Sequence, residues 1–177
     1  MSLEKITAQI TQSEGKLPPV HLWNPEYCGE MDLVIKADGS WFYNGTIFKR
    51  MSLVKLLASV LKKEGEDYFL VTPVEKIKIT VEQAPFVLTQ WRWADEQQTV
   101  MVVETNLGDE FILAKGHSLT IDDDGNLLVE VRAGLKAKVH RNVYYQWIDL
   151  ASEVEVEGKQ AMAFESSGQQ YVVGYLT

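Results

Sequence analysis

The sequence has one cysteine, Cys28, so neither an internal disulfide nor a cysteine-rich zinc site can form within one chain. It is also poor in basic charge, because 17 Lys and Arg residues face 25 Asp and Glu residues and leave a net charge of -8. Binding to a phosphate backbone depends on clustered Lys and Arg, so this balance argues against nucleic acid as a partner. The scarcity of cysteine favours a reducing, cytoplasmic compartment.

Long apolar runs are missing as well. Residues 1–16, "MSLEKITAQITQSEGK", are interrupted by charges and amides and fit neither a signal peptide nor a membrane span, which predicts no membrane association. The chain contains no G-x-S-x-G, no P-loop and no G-x-G-x-x-G. Its histidines, His21, His117 and His140, lack metal-ligand spacing. From these missing motifs we expect no bound metal and no cofactor.

What is present is the composition of a globular protein. Apolar residues make up 46% and charged residues 24% of 177 residues, which suits one domain or two small lobes with a real core. Most segments alternate apolar and polar residues between Gly, Pro, Asn and Asp turns, as strands do. Helical spacing appears at residues 3–13, at 52–64 and at 142–151. The pattern predicts an α+β fold.

Two of these helices have predicted ends. Ser2 is a plausible N-cap of the first helix, which Glu14 and Gly15 would end. Ser52 would cap the second helix, and Gly65 would stop it in the left-handed conformation.

An internal repeat is predicted from the order of signals along the chain. The first half has an Asp-Gly turn at 38–39, strands, Arg50, a helix, a Glu-Gly pair at 64–65 and a strand. The second half repeats this order with an Asp-Gly turn at 124–125, Arg141 and a Glu-Gly pair at 157–158. We therefore expect two related strand-rich lobes from an internal duplication, each with one main helix. The expected segments are 1–16 (an N-terminal helix or appendage), 17–85 (an N-terminal α+β lobe) and 86–177 (a C-terminal β-rich lobe).

Several stretches carry a family resemblance. The motifs "MDLVI", "DGSW", "VTPVEK" and "APF" between residues 29 and 86, and "VRAGLKAKVHRNVYYQ" at 131–146, resemble the bacterial family called domain of unknown function 1285. The sequence departs from that pattern at Gln83, where an acidic residue is expected, and at Ser118, where proline is expected. The resemblance implies two related halves, a second half somewhat like a pleckstrin-homology domain, a binding site where the halves meet, and a role in signal transduction.

Two other features invite a chemical interpretation. The acidic run ending at Asp124 and Gly125 resembles a calcium loop, but the loop positions would start at Thr120 and end at Val131, neither of which is the required ligand. A hairpin turn is favoured. Cys28 could act as a nucleophile with His21, but a packed thiol is the more ordinary interpretation.

Glu75 is the residue that most needs an explanation. It has the same strand parity as Ile77, Ile79 and Val81, so its carboxylate should point to the apolar side of its strand. Arg50 and Arg141 precede their helices at matching places in the repeat and would also need partners. Either Glu75 forms a structural ion pair with an arginine, or it lines a ligand site, or it lies at an exposed strand end.

Two functions remain open from the sequence. The first is a non-enzymatic module that binds a small molecule or a protein between its lobes. The second is a hydrolytic enzyme that uses Glu75 and a histidine at the same place. The candidate ligand-binding residues are Trp41, Tyr43, Arg50, Glu75, Lys76 and Arg141.

Overall fold

The structure is a computed structural model that describes residues 3–10 and 17–177. The predicted cap Ser2 and the predicted helix end at Glu14 and Gly15 lie outside the described residues. The chain divides into two compact units, Met1–Gln83 and Ala84–Thr177, and each has buried apolar residues of its own. Both units are rich in strands, which confirms the predicted α+β class.

The first unit contains a six-stranded mixed sheet in the order β3-β2-β1-β6-β5-β4. Its central strands β1 and β6 run parallel, and the other neighbours run antiparallel. Helix α1 buries Ile6 and Ile10 and contacts α2. The elements are α1 (Leu3–Ile10), a 3-10 turn (Val20–Leu22), β1 (Tyr27–Ile35), β2 (Trp41–Tyr43), β3 (Thr46–Ile47), α2 (Met51–Ala58), β4 (Leu61–Glu64), β5 (Asp67–Val71) and β6 (Lys76–Val81).

The main helix of this unit is shorter than its sequence pattern predicts. It begins at Met51 after Arg50, whose side chain makes no capping bond, and ends at Ala58 rather than at Glu64. Residues after Val60 form β4 because the Val60 carbonyl accepts a hydrogen bond from the Val71 amide and the following residues pair with β5. The apolar run of the helix therefore continues into a strand, and local periodicity yields to sheet pairing.

Gly65 consequently has a different role from the predicted helix stop. It begins the two-residue turn between Glu64 and Asp67, with φ of +59°, and no atom lies within 4 Å of where a Cβ would be. A left-handed first position is what a type II′ hairpin turn requires, and glycine adopts it without steric cost.

We expect Gly65→Ala to lower the free energy of unfolding by about 1 kcal/mol, because an L-residue is disfavoured in the left-handed region. Urea denaturation measures this change. Gly174→Ala is the matched control, since Gly174 has an ordinary φ and equally open space around its Cβ position. Equal losses in the two variants would contradict the turn explanation.

The second unit contains two sheets. A six-stranded mixed sheet has the order β10-β11-β12-β7-β8-β9, with β12 and β7 parallel, and a separate antiparallel sheet has the order β13-β14-β15. Helix α3 buries Val143 and Trp147, as its sequence spacing predicts. The elements are β7 (Phe86–Trp93), β8 (Met101–Thr105), β9 (Glu110–Ile112), β10 (Leu119–Ile121), β11 (Leu127–Arg132), β12 (Leu135–Val139), α3 (Arg141–Leu150), β13 (Ser152–Val156), β14 (Lys159–Ser166) and β15 (Gln169–Tyr175).

The two six-stranded sheets have the same connectivity. In each, the first strand pairs antiparallel with the second and parallel with the sixth. The repeat predicted from the sequence matches different strands. It compares β1 to β6, which contain α2, with β10 to β15, which contain α3, and both sets have the order three strands, a helix and three strands. The duplication stays a prediction.

A buried serine joins the two sheets of the second unit. Ser166, at the end of β14, has an exposed fraction of 0%. Its hydroxyl accepts a hydrogen bond from the Met101 amide on β8 at 2.9 Å and donates one to the Leu113 carbonyl after β9 at 2.7 Å. The small sheet is thereby fixed to the six-stranded sheet.

No helix in the described residues has the length and apolar character needed to cross a membrane.

Candidate functional site

Glu75 points inward, as its strand parity predicts. The residue is 8% exposed and immediately precedes β6, in which Ile77 and Ile79 are buried. A tight turn holds it there, because the Thr72 amide donates to the Glu75 carbonyl at 2.8 Å and the Glu75 amide donates to the Thr72 hydroxyl at 3.0 Å. The third interpretation, an exposed strand end, is therefore excluded.

The ionic partner of Glu75 is a lysine. Glu75 Oε1 lies 3.6 Å from the Nζ of Lys5 on α1, whose side chain is 65% exposed. The second oxygen, Oε2, is buried and accepts no hydrogen bond from the described residues. Arg50 lies exposed at the start of α2 and forms no ion pair with Glu75 within the described residues, so the predicted Arg50–Glu75 pair is wrong, and the alternative pair with Arg141 stays a prediction. Sequence reasoning missed Lys5 because it lies on the N-terminal helix, far from Glu75 along the chain.

Lys76 faces the opposite side of β6 from Glu75. Its Nζ forms an ion pair with Glu64 and lies 4.5 Å from the centre of the Phe69 ring. Glu64 also contacts Lys62 at 3.3 Å. The Lys76 hydrogen bond holds the pKa of the Glu64 carboxyl below its ordinary value, against the effect of burial. Lys76 thus belongs to a partly buried ion-pair cluster with Glu64 and Lys62.

The other predicted ligand residues have separate environments. Trp41 is a core residue, 2% exposed. Tyr43 stacks on Phe48 with ring centres 6.3 Å apart. Arg141, in the second unit, lies over Tyr145 at 5.7 Å, and its grouping with the first-unit residues stays a prediction.

Two of the histidines have positions that do not suggest catalysis. His21 is exposed, and His140 caps α3, because its Nδ1 accepts a hydrogen bond from the Asn142 amide at 3.1 Å. No group of three or more His, Cys, Asp or Glu side chains in the described residues is arranged to hold a metal ion.

The acidic run forms the favoured hairpin turn. Asp122 Oδ1 accepts hydrogen bonds from the amides of Asp124 and Asn126. The Asn126 side chain, first among several donors, lowers the pKa of the Asp122 carboxyl. The carboxylate is thus occupied in closing the turn between β10 and β11.

The third histidine lines a cleft that the sequence did not reveal. This cleft, which we call the His117 cleft, has a volume of about 420 Å³ and lies in the second unit between the β9–β10 loop, β10 and β15. Its polar wall includes Lys115, His117, Ser118, Gln169, Tyr171 and Tyr175. A volume of this size is typical of small-molecule sites.

The His117 ring is held rigidly at the edge of this cleft. Its Nδ1 lies 2.8 Å from the backbone oxygen of Glu130, and the ring stacks on Phe111 with centres 4.2 Å apart. A carbonyl oxygen only accepts, so Nδ1 carries the proton, and Nε2 is left as the nitrogen that can bind a ligand. The sequence signal that could have pointed here is the short loop "AKGHS", with a lysine and a histidine on either side of a glycine.

The cleft lining also contains a tyrosine hydroxyl and a carboxylate. Burial raises the pKa of Tyr171 above its ordinary value, so its hydroxyl stays a hydrogen-bond donor at neutral pH. The Glu130 carboxylate accepts a hydrogen bond from the Gly134 amide at 3.1 Å, at the far end of the β11–β12 hairpin. The cleft therefore offers several donors and one carboxylate that already has a partner.

The chain matches two family descriptions that together cover most of its length. Residues 18–84 match "Domain of unknown function (DUF1285), N-terminal domain", and residues 85–173 match "Protein of unknown function (DUF1285), C-terminal domain". The chain belongs to the DUF1285 family. The resemblance seen in the sequence motifs is confirmed, and the lining of the His117 cleft, apart from Tyr175, falls within the residues matched by the C-terminal domain.

Two solved structures of DUF1285 proteins are similar to this one. A protein from Silicibacter pomeroyi DSS-3 is 35% identical, with 99% of this chain and 96% of that chain covered and a TM-score of 0.85. A protein from Shewanella baltica OS155 is 30% identical, with 67% of this chain and 91% of that chain covered and a TM-score of 0.57. No curated protein matches the chain. No function is established for the family description that it matches.

Proposed function

We propose that this DUF1285 protein is a non-enzymatic ligand-binding module and that the His117 cleft is its binding site. The observation that carries the proposal is a ring fixed by the Glu130 carbonyl and by Phe111 beside an open volume of about 420 Å³. Fixing a polar group before a ligand arrives lowers the entropic cost of binding. A concave cleft of this volume suits a small molecule better than a protein surface.

Binding is favoured over the hydrolytic alternative because the groups that hydrolysis would use have other partners. Glu75 is paired with Lys5, and His140 caps α3. The orienting partner of His117 is a backbone carbonyl. A catalytic histidine that activates a hydroxyl is commonly oriented by a carboxylate, which would stabilise the charge formed on the ring.

We further propose how the fold arose, where in the cell the protein acts and in what kind of process. The shared connectivity of the two six-stranded sheets supports an internal duplication. The likeness of the second half to a pleckstrin-homology domain is proposed from the family resemblance alone. The acidic net charge and the single cysteine support a cytoplasmic location. A ligand-dependent role in signal transduction is consistent with a binding module that performs no chemistry.

Native mass spectrometry of protein purified from its own host tests the proposal. We expect the wild type to retain a small molecule, seen as a mass adduct that is released on denaturation. Ser118→Tyr should lose the adduct, because Ser118 is exposed on the cleft wall and a tyrosine ring would fill part of the volume. Thr80→Tyr, at an exposed position on β6, is the matched control and should keep it.

Both variants must first show the same cooperative unfolding as the wild type. An adduct that persists in Ser118→Tyr would contradict the assignment of the cleft. A wild type that carries no adduct would contradict the binding proposal as a whole.

A further inference from the structure

Resting on the proposed function, we infer that the ligand of the His117 cleft is a small organic anion, with a carboxylate or phosphate group bound at Lys115 and His117. The inference starts from the charges that line the cleft. Lys115 supplies a cation and His117 a group that becomes cationic on protonation, whereas Glu130 is the one acidic residue of the lining. The Glu130 carboxylate has its partner at Gly134. Among the described residues, the cleft thus sets one free cation, Lys115, against one carboxylate that already accepts a hydrogen bond, in a chain whose net charge is -8.

The loop that carries Lys115 adds backbone donors. The His117 amide donates to the Ala114 carbonyl at 3.0 Å, and Gly116 has φ of +102°, which together describe a type II turn with glycine at its third position. Within residues 3–10 and 17–177, the amides of Lys115 and Gly116 make no hydrogen bond. Two neighbouring amides without a partner, beside a lysine, are suited to an anionic oxygen.

The fixed ring of His117 strengthens this arrangement. Because Nδ1 donates to the Glu130 carbonyl in both protonation states, protonation adds a donor at Nε2 without breaking the bond that holds the ring. The charge of the imidazolium is then available to the ligand at no structural cost.

A second depression in the same unit lacks the basic side chains found in the His117 cleft. It has a volume of about 330 Å³ and is lined by Trp93, Phe164 and Glu165 among others, with no Lys, Arg or His. The His117 cleft also has apolar wall residues, Leu119 and Val172. Apolar contact beside a charged end favours an organic anion over an inorganic ion.

Two-dimensional amide NMR at low ionic strength tests the inference with three probes that share one ring: benzoate, phenyl phosphate and the neutral benzamide. We expect benzoate and phenyl phosphate to shift the amide signals of residues 114–118 and 169–175. Benzamide should bind with an affinity at least about tenfold lower. The stronger of the two anions identifies the head group as carboxylate or phosphate. Lys115→Gln should weaken binding of that anion by about three- to tenfold.

Lys159→Gln is the matched control, because Lys159 is an exposed lysine on β14 outside the cleft lining and should leave anion binding unchanged. Equal shifts by benzamide and benzoate, or equal affinities of the Lys115→Gln variant and the wild type, would overturn the anion inference. The cleft would remain the binding site if the native adduct still depends on Ser118. Anion shifts located away from residues 114–118 and 169–175 would also overturn the inference.

Discussion

Replacing Ser166 by alanine is expected to lower the free energy of unfolding by about 3 kcal/mol, because the change leaves two buried backbone groups without partners. The Met101 amide loses its acceptor and the Leu113 carbonyl loses its donor, at a position that is 0% exposed. Water cannot reach these groups without opening the contact between the two sheets. The expected loss is a large fraction of the stability of a typical domain.

Urea denaturation followed by fluorescence and by circular dichroism measures the loss and shows whether the two signals still change together. Ser152→Ala is the matched control, because Ser152 is exposed at the start of β13 and should change stability by less than about 0.5 kcal/mol. Equal midpoints for Ser166→Ala and the wild type would show that the serine does not fix the small sheet.

The strands and hairpins could be predicted because their signals are local. The Asp-Gly pairs at 38–39 and 124–125 lie in the turns between β1 and β2 and between β10 and β11, and the alternating residues of β12 are alternately buried. The end of α2 could not be predicted in the same way. Its apolar spacing continues past Ala58, and only the pairing of Leu61–Glu64 with β5 shows that a strand begins there.

The candidate sites were predictable only in part for a similar reason. The inward direction of Glu75 follows from alternation along one strand, which involves neighbouring residues alone. The lysine that pairs with it comes from α1, and the His117 cleft joins a loop after β9 to β15, more than fifty residues later. Contacts between segments so far apart are set by the tertiary fold, and no pattern within either segment specifies them.

Glu75→Met is expected to raise the free energy of unfolding by about 1–3 kcal/mol at neutral pH, because the carboxylate gains too little from its one ionic partner to offset its burial. Oε2 accepts no hydrogen bond from the described residues, and the 3.6 Å distance from Oε1 to the Lys5 Nζ is long for a charge-assisted hydrogen bond. The lysine is 65% exposed, so solvent screens its charge.

Lys5→Met should act in the opposite direction and destabilise the protein by about 1 kcal/mol, because it removes the partner of a carboxylate that stays buried. In the Glu75→Met background the same lysine change should cost less than it does in the wild type. This non-additivity in urea denaturation is the signature of a direct interaction. Additive effects would show that the pair does not hold α1, and a Glu75→Met variant less stable than the wild type would show that the carboxylate is compensated. A stabilised variant would show that the wild type keeps a buried, poorly compensated carboxylate at a cost in stability.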